Sequence, residues 1–235
     1  MSTASQPESC AHPNPNSVGL TVADAKKSIA FYCEKLGFTL RECFPNAEAP
    51  VWASLVMDNQ SIMFGQAMGP ESSCEGSGMN PKAMEFWRKS MQQFATAPHG
   101  VGVNLYIMVP DIDAYAKKIT ANGAKITLEP TTQFYGLRDL VLVDPDGYTL
   151  TFYTPVAMAS CQSCAMPLTD ATPGQMYCQY CFDEKAGQLR PYEVIFEGTV
   201  SGYFMGMHKM ARPEAEKAAR EHLAKQPAWK VRAGK

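Results

Sequence analysis

Residues 140–155 read LVLVDPDGYTLTFYTP, and this stretch decides what kind of fold the chain can adopt. The motif Asp144-Pro145-Asp146-Gly147 predicts a turn, because proline fixes φ at the second position of the turn and glycine adopts the backbone conformation at its last position without strain. Apolar residues then alternate with threonines and a tyrosine, which is the period-two pattern of a strand. One face of that strand is apolar and the other can form hydrogen bonds. The pattern therefore predicts a strand that lies between a core and a cavity.

The strand ends a unit that occurs twice in the chain. Residues 17–40 (SVGLTVADAKKSIAFYCEKLGFTL) and 103–128 (VNLYIMVPDIDAYAKKITANGAKITL) both read as an alternating strand, an aspartate, an amphipathic helix, a glycine and another strand. Asp24 is placed to cap the first helix. Apolar residues recur at helical spacing, with Ile29, Tyr32, Cys33 and Leu36 in the first copy and Ile112, Tyr115, Ala116 and Ile119 in the second. Short strands follow at 51–57 and 61–64, and at 137–143 and 148–153, so the sequence predicts two βαβββ modules.

A four-stranded sheet with one helix is covered on only one face, so two such modules are expected to pair around a shared concave surface. The predicted fold class is α+β, with paired βαβββ modules forming a half-open, barrel-like cavity. The expected boundaries are a flexible tail over 1–15, a main domain over 16–156 with modules at 17–65 and 101–155, and a C-terminal domain over 157–235. The connection at 66–100 contains a helical pattern over 81–94 and is a candidate lid or dimer arm.

The composition is that of an ordinary globular protein. The chain is 46% hydrophobic and 19% charged, with a net charge of −2, and it lacks the basic excess that nucleic acid or an acidic membrane surface would require. No stretch approaches the roughly eighteen consecutive apolar residues of a membrane-spanning helix. The polar N-terminus does not resemble a signal peptide. We therefore expect a cytoplasmic protein with no membrane and no nucleic acid among its partners.

Four of the eight cysteines form two C-x-x-C pairs, Cys161/Cys164 and Cys178/Cys181. Two such knuckles on a short hairpin present four thiolates tetrahedrally to Zn²⁺, whereas a redox C-x-x-C would be expected once, beside a βα turn. So short a segment cannot form a core of its own, and the metal would supply the folding free energy. The sequence predicts a structural zinc ion in a ribbon over 161–181. A helix should follow from Arg212-Pro213-Glu214 to about residue 225.

The motifs LTVAD with SIAFYCEKLGF, then IMVPDIDAYAKKITANGA, then YGLRDLVLVDPDGYTLTFY make the chain similar to the vicinal oxygen chelate superfamily of glyoxalase I, extradiol dioxygenases and bleomycin-resistance proteins. The resemblance covers residues 17–155, and the cysteine segment resembles a zinc-ribbon domain. The resemblance to the vicinal oxygen chelate superfamily implies four metal-ligand positions, which in this chain are Ser17, Met63, Asn104 and Thr151. None offers an imidazole or a carboxylate, so the usual metal of that family is not expected here.

A ligand pocket is the remaining expectation for the main domain. The residues predicted to bind a ligand are Trp52, Asn104, Tyr106, Arg138, Thr151 and Tyr153, within a larger inward-facing set of Ser17, Gly19, Thr21, Ser54, Met63, Met108 and Leu140. Aromatic walls with a few polar anchors suit a small planar organic molecule, and Arg138 favours a weakly acidic one. Alternatively, these residues fill a collapsed core.

Three functions stay open on the sequence alone. The first is a small-molecule binding protein of the bleomycin-resistance type, for which a homodimer is expected. The second is a divergent lyase, isomerase or dioxygenase-like enzyme in which Tyr106, Tyr153 or Arg138 acts as an acid or stabilises an oxyanion. The third is a regulator that senses a ligand and docks through the ribbon.

Overall fold

A computed structural model describes residues 17–67, 80–94 and 98–230. The predicted flexible tail over 1–15 lies outside the described residues, as does much of the connection between the modules. Within that connection the expected helix is present as Pro81–Phe94. The side chains of Met84, Trp87 and Met91, which give it its apolar pattern, are outside the description.

The first module consists of strand β1 (Ser17–Val22), helix α1 (Ala25–Ala30, continuing as a π-helical segment over Phe31–Leu36) and strands β2 (Thr39–Phe44), β3 (Trp52–Met57) and β4 (Gln60–Gln66). Its sheet has the order β1-β4-β3-β2, with β1 parallel to β4. The Asp24 side chain caps α1 by accepting from Lys27 N. The helix ends at Gly37, whose φ of 85° is left-handed, a conformation that glycine adopts without strain. The predicted βαβββ order is confirmed.

The second module repeats this order, after helix α2 (Pro81–Phe94). It consists of β5 (Asn104–Met108), α3 (Ile112–Ala121), β6 (Leu128–Thr132), β7 (Leu137–Val143) and β8 (Thr149–Pro155). Its sheet has the order β5-β8-β7-β6. Asp111 caps α3 by accepting from two backbone amides. The four apolar residues predicted to face inward from α3 are all buried.

One hydrophobic core serves both modules. It joins the helix stripes to the inner faces of the strands, and its fully buried large members are Val22, Tyr32, Leu36, Leu55, Phe64, Ile112, Ile119, Leu140, Leu142, Leu150 and Phe152. The predicted apolar face of β8 is therefore confirmed, since Leu150 and Phe152 lie in this core. Leu140, however, was expected on the cavity face, and that expectation is wrong. Side chains alternate along a strand, so assigning β7 one residue out of phase moves each of them to the opposite face.

The Asp144–Gly147 turn does more than connect two strands. Tyr32 donates from its hydroxyl to Asp144 Oδ2 at 2.9 Å, and Ser28 donates to Asp146 Oδ2 at 2.7 Å. Both carboxylates are almost fully buried, and burial raises the pKa of Asp144. The Tyr148 hydroxyl donates in turn to Thr21 O. The turn of the second module is thus hydrogen-bonded to the helix and first strand of the first.

The C-terminal part contains β9 (Phe182–Asp183), β10 (Gln188–Leu189), α4 (Tyr192–Gly198, continuing as a π-helical segment over Thr199–Met207), α5 (Arg212–Ala224) and α6 (Pro227–Lys230). Helix α5 confirms the sequence expectation, whereas α4 and its π-helical extension were not expected. The chain divides into two compact units, Met1–Glu129 with Leu140–Phe152 and Pro130–Asp139 with Tyr153–Lys235. None of the described helices is both long and apolar enough to cross a membrane.

Candidate ligand and metal sites

The four cysteines of the C-x-x-C pairs converge in the second unit. The Sγ atoms of Cys161, Cys164, Cys178 and Cys181 lie within 4.8 Å of one another, and the Cys164 and Cys178 sulfurs are 3.8 Å apart. Zn–S bonds of about 2.3 Å in a tetrahedron require sulfur–sulfur distances of about 3.8 Å. Among the residues that the structure describes, these cysteines are the group whose geometry suits a metal ion. The donor set and its spacing fit zinc.

Backbone turns hold the two knuckles in this arrangement. Ala165 N donates to Cys161 O at 2.8 Å in the first knuckle, and Cys181 N donates to Cys178 O at 3.0 Å in the second. Cys178 N also donates to the Cys161 sulfur at 3.4 Å. Hydrogen bonds among the four sulfurs lower the pKa of Cys161 and raise the pKa of Cys164 and of Cys181. Without a metal the four thiols therefore do not ionise together, whereas a bound metal requires the thiolate form of each ligand.

The C-terminal helices brace the first knuckle through residues that the cysteine motif does not predict. Trp229 donates from Nε1 to Ser163 O at 2.9 Å, and both residues are buried. His222 Nε2 lies 2.8 Å from Cys164 O. The His222 ring thus contacts the backbone of a zinc-ligand candidate rather than its sulfur. The spacing of the cysteines alone gives no sign of these contacts.

Two of the predicted ligand-binding residues meet in the second module. Thr151 donates from Oγ1 to Asn104 Oδ1 at 2.9 Å. Thr151 is buried on β8, whereas Asn104 is exposed at the start of β5. Tyr106 and Met108 follow on the same face of β5, with 53% and 52% of their surface exposed. This strand face is open, with an aromatic ring and a thioether beside a polar pair.

An open depression of about 550 Å³ adjoins this face. It is lined by His99, Gly100, Val101, Gly102, Val103, Asn104, Gly147 and Thr149. Gly100 has a φ of 70°, and a Cβ atom there would overlap the carbonyl of Gly147. The glycine of the Asp144–Gly147 turn is therefore packed against the loop that enters β5. The His99 ring stacks on Phe94, with centroids 3.7 Å apart.

The other predicted residues lie elsewhere. Trp52 is half-buried on β3, in the first module. Arg138 and Tyr153 belong to the second unit. Arg138 donates to Thr132 Oγ1 at 3.4 Å, and alternation along β7 puts it on the side of the buried Leu140. Its role in binding a ligand stays a prediction.

The four positions that the resemblance assigned to a metal contain no strong ligand. Strands β1 and β4 pair so that Met63 lies opposite Gly19, while Ser17 lies opposite Ser61. In the second module the corresponding residues are the hydrogen-bonded Asn104 and Thr151. A thioether, an amide and two hydroxyls are poor ligands for zinc, nickel or iron, which favour imidazole, thiolate and carboxylate.

Two family models match the chain. The model described as "Glyoxalase/Bleomycin resistance protein/Dioxygenase superfamily" matches residues 14–152, well over half of the 235 residues. The model described as "Putative zinc ribbon domain" matches residues 160–230. The second match contains all four clustered cysteines and the bracing residues His222 and Trp229. No curated protein matches the chain.

Several solved structures are similar to the chain at low identity. TioX from Micromonospora sp. ML1 is 20% identical with a TM-score of 0.43, and the match covers 59% of this chain and 96% of TioX. A glyoxalase/bleomycin resistance protein/dioxygenase from Nocardioides is 18% identical with a TM-score of 0.44, covering 74% and 91%. TnmS3, an antibiotic binding protein from Streptomyces sp. CB03234, is 20% identical with a TM-score of 0.42, covering 63% and 98%. Likeness at this level says nothing about what this chain binds.

Proposed function

The chain belongs to the Glyoxalase/Bleomycin resistance protein/Dioxygenase superfamily, and from that membership we propose that its main domain binds a small planar organic molecule without transforming it. The observation that carries the proposal is the open face of β5, where Tyr106 and Met108 are about half exposed beside the Asn104–Thr151 hydrogen bond. Exposed aromatic and thioether surface next to a few polar groups is typical of a site for a flat ligand.

Each group has a distinct part in this proposal. Tyr106 supplies a wall against which a ring can stack, and Met108 adapts its thioether to the ligand outline. Thr151 fixes the amide of Asn104 by donating to its oxygen, which leaves the amide N–H groups to donate to a carbonyl or hydroxyl of the ligand. Trp52 is proposed as a second aromatic wall. The proposal assigns no proton transfer and no metal binding to these residues.

Fluorescence titration with a panel of planar aromatic compounds tests the proposal. Tyr106→Ala should weaken the best binder about tenfold, equivalent to about 1.4 kcal/mol, because a stacking surface is lost. Tyr180→Ala is the matched control, since Tyr180 is also an exposed tyrosine but lies in the zinc ribbon. Equal effects of the two substitutions, or recovery of a chemically altered compound after incubation, would contradict binding at this face without turnover.

We propose further that the four clustered cysteines hold one structural Zn²⁺. Support comes from the 3.8 Å sulfur–sulfur distance and from the family match over residues 160–230. Free thiolates are needed for this site, which favours a reducing compartment such as the cytoplasm. Elemental analysis of protein purified without chelator should find about one zinc per chain.

A homodimer is also proposed. Exposed apolar side chains elsewhere on the main domain, Phe44 on β2 and Phe86 on α2, support it, because exposed apolar surface can mark a protein interface. Light scattering coupled to size-exclusion chromatography should give twice the chain mass of 25.8 kDa. A monomer at micromolar concentration would contradict the dimer but not the ligand site.

A further inference from the structure

The turn between β6 and β7 belongs to the same compact unit as the cysteine cluster. That unit comprises Pro130–Asp139 and Tyr153–Lys235. Strand β6 ends at Thr132 and β7 begins at Leu137, so residues 133–136 form the turn. The contacts between this turn and the ribbon therefore lie within one unit.

Backbone hydrogen bonds connect the turn to the segment between the two cysteine pairs. Val156 N donates to Gly136 O, and Gly174 N donates to Val156 O, each at 3.0 Å. Gly136 is buried, although it lies at the end of a hairpin. Val156 thus bridges the turn and the ribbon with both of its backbone polar groups.

Gly136 is also in close contact with the ribbon. Its φ is 79°, and a Cβ atom built on it would lie 3.3 Å from Met176 Cγ and 3.4 Å from the backbone of Gly174. Glycine adopts a left-handed φ without strain, and it also permits a second backbone to approach closely. Any larger residue at position 136 would strain the turn and push the ribbon away from it.

Met176 connects this contact to both cysteine knuckles. Its Cγ atom lies against Gly136, and its carbonyl accepts from Gln162 N, inside the first knuckle, at 2.9 Å. It also lies two residues before Cys178, the first cysteine of the second knuckle. A metal ion shared by the two knuckles supplies the folding free energy of such a segment. The metal would therefore hold Met176 in place against the turn.

Side chains of the turn are fixed to β7 in their own right. Gln133 Nε2 and the Tyr135 hydroxyl each donate to the Asp139 carboxylate at 2.8 Å, and Asp139 is only 5% exposed. Arg138 is the next residue along β7. A displacement of the turn is thus transmitted to the backbone that carries Arg138.

We propose that the ribbon is a zinc-dependent clamp on the β6–β7 hairpin: bound zinc holds Met176 and Gly174 against Gly136 and orders residues 133–138, and loss of zinc releases them. The inference rests on the proposed zinc ion and is independent of the ligand of the main domain. Arg138, which the sequence predicts to bind an acidic group, lies in the released segment. Coupling between two sites is reciprocal, so the clamped hairpin should also slow the release of zinc.

The rate of zinc release tests this reciprocity in the full chain, with a chromogenic chelator as the acceptor. Gly136→Ala should release zinc about fivefold faster or more, the lower end of typical coupling between sites. Gly123→Ala is the matched control, because Gly123 has a φ of 80° but a Cβ atom built there has no atom within 4 Å. It imposes the same backbone strain without touching the ribbon, and it should leave the rate unchanged.

Hydrogen exchange of the full chain measures the order of the hairpin itself. The amides of Gln133 and Gly136 donate within the turn and report its opening. Removal of zinc should speed exchange over residues 133–138 about tenfold or more, while helix α3 keeps its protection.

A pair of methionine substitutions separates the contact from the metal. Met176→Ala should speed exchange of the turn even with zinc bound, because it removes the side chain that lies against Gly136. Met166→Ala is the matched control. The Met166 carbonyl likewise accepts from a knuckle amide, Cys161 N at 2.8 Å, but its side chain packs against the ribbon core. Met166→Ala should leave exchange of the turn unchanged.

The contrary results are distinct. Unchanged exchange of the turn after zinc removal would overturn the clamp and leave the zinc site standing. Equal rates of zinc release from the two glycine variants would refute the reciprocal coupling, and equal effects of the two methionine variants would refute the role of Met176. Protein purified without zinc would refute the proposed zinc ion and this inference together, while the proposed ligand site of the main domain would stand.

Discussion

Replacing Tyr32 by phenylalanine tests whether the Asp144–Gly147 turn ties the two modules together. The substitution removes one hydroxyl from a fully buried ring and leaves the ring contacts with Phe38 and Phe64 in place. The lost interaction is the 2.9 Å hydrogen bond to Asp144 Oδ2. Asp144 Oδ1 still accepts from the amides of Asp146 and Tyr148.

The expected cost follows from the charge of the acceptor. Hydrogen bonds to charged groups contribute about 1.5–3 kcal/mol, and those between neutral groups about 0.5–1.5 kcal/mol. Tyr32→Phe should therefore lower the free energy of unfolding by about 2 kcal/mol at neutral pH. Tyr115→Phe is the matched control, because its buried hydroxyl donates at 2.9 Å to the neutral carbonyl of Leu36. Its cost should be about 1 kcal/mol.

The pH dependence of this cost distinguishes the two substitutions. Burial raises the pKa of Asp144, so its contribution to stability is fully present below the unfolded pKa of about 3.9 and is lost as the pH rises through the folded pKa. The Tyr32 hydroxyl opposes that loss by stabilising the ionised carboxylate. The cost of Tyr32→Phe should therefore shrink as the pH falls below the folded pKa, while that of Tyr115→Phe stays constant. Urea unfolding at a series of pH values measures both, and equal, pH-independent costs would refute the reasoning.

Three further predictions concern the ribbon. The double substitution of Cys178 and Cys181 by serine should reduce bound zinc from about one equivalent to less than half, measured by elemental analysis, and retained zinc would contradict the four-cysteine site. Chelation of zinc from the full chain should abolish the thermal transition of the second unit but preserve that of the main core, since that core contains none of the cysteine ligands. Loss of all cooperative unfolding on chelation would contradict two separately folded units. Trp229→Phe should destabilise the ribbon by about 1 kcal/mol or more, because Ser163 O loses its buried donor. An unchanged zinc-dissociation rate and an unchanged Tm would show that this hydrogen bond does not stabilise the ribbon.

The elements that the sequence predicts well are those whose signals are local. Asp24, Gly37 and Asp111 mark the helix ends through contacts within a few residues, and the structure confirms them. The cysteine ligands are encoded by spacing alone, which short turns convert into a cluster. These features can be predicted from short segments, because they do not depend on residues elsewhere in the chain.

The features that could not be predicted depend on residues far apart in the sequence, or on which face of a strand each side chain occupies. The buried Asp144 accepts a hydrogen bond from Tyr32, which is 112 residues away in the sequence, and the motif alone indicates only a turn. Leu140 was assigned to the wrong face because alternation in β7 was counted one residue out of phase. The pairing of Met63 with Gly19 depends on cross-strand register, which single strands do not reveal.

Native mass spectrometry of the full chain incubated with the best binder from the panel of planar aromatic compounds tests the central claim most directly, because one spectrum counts metal, ligand and chains together. The account predicts, per chain, the mass of the polypeptide plus one zinc and one unmodified ligand, with less ligand bound to Tyr106→Ala and the zinc retained. A chain that carries zinc but never the ligand, or a ligand that appears only with altered mass, would contradict a small-molecule binding domain joined to a structural zinc ribbon.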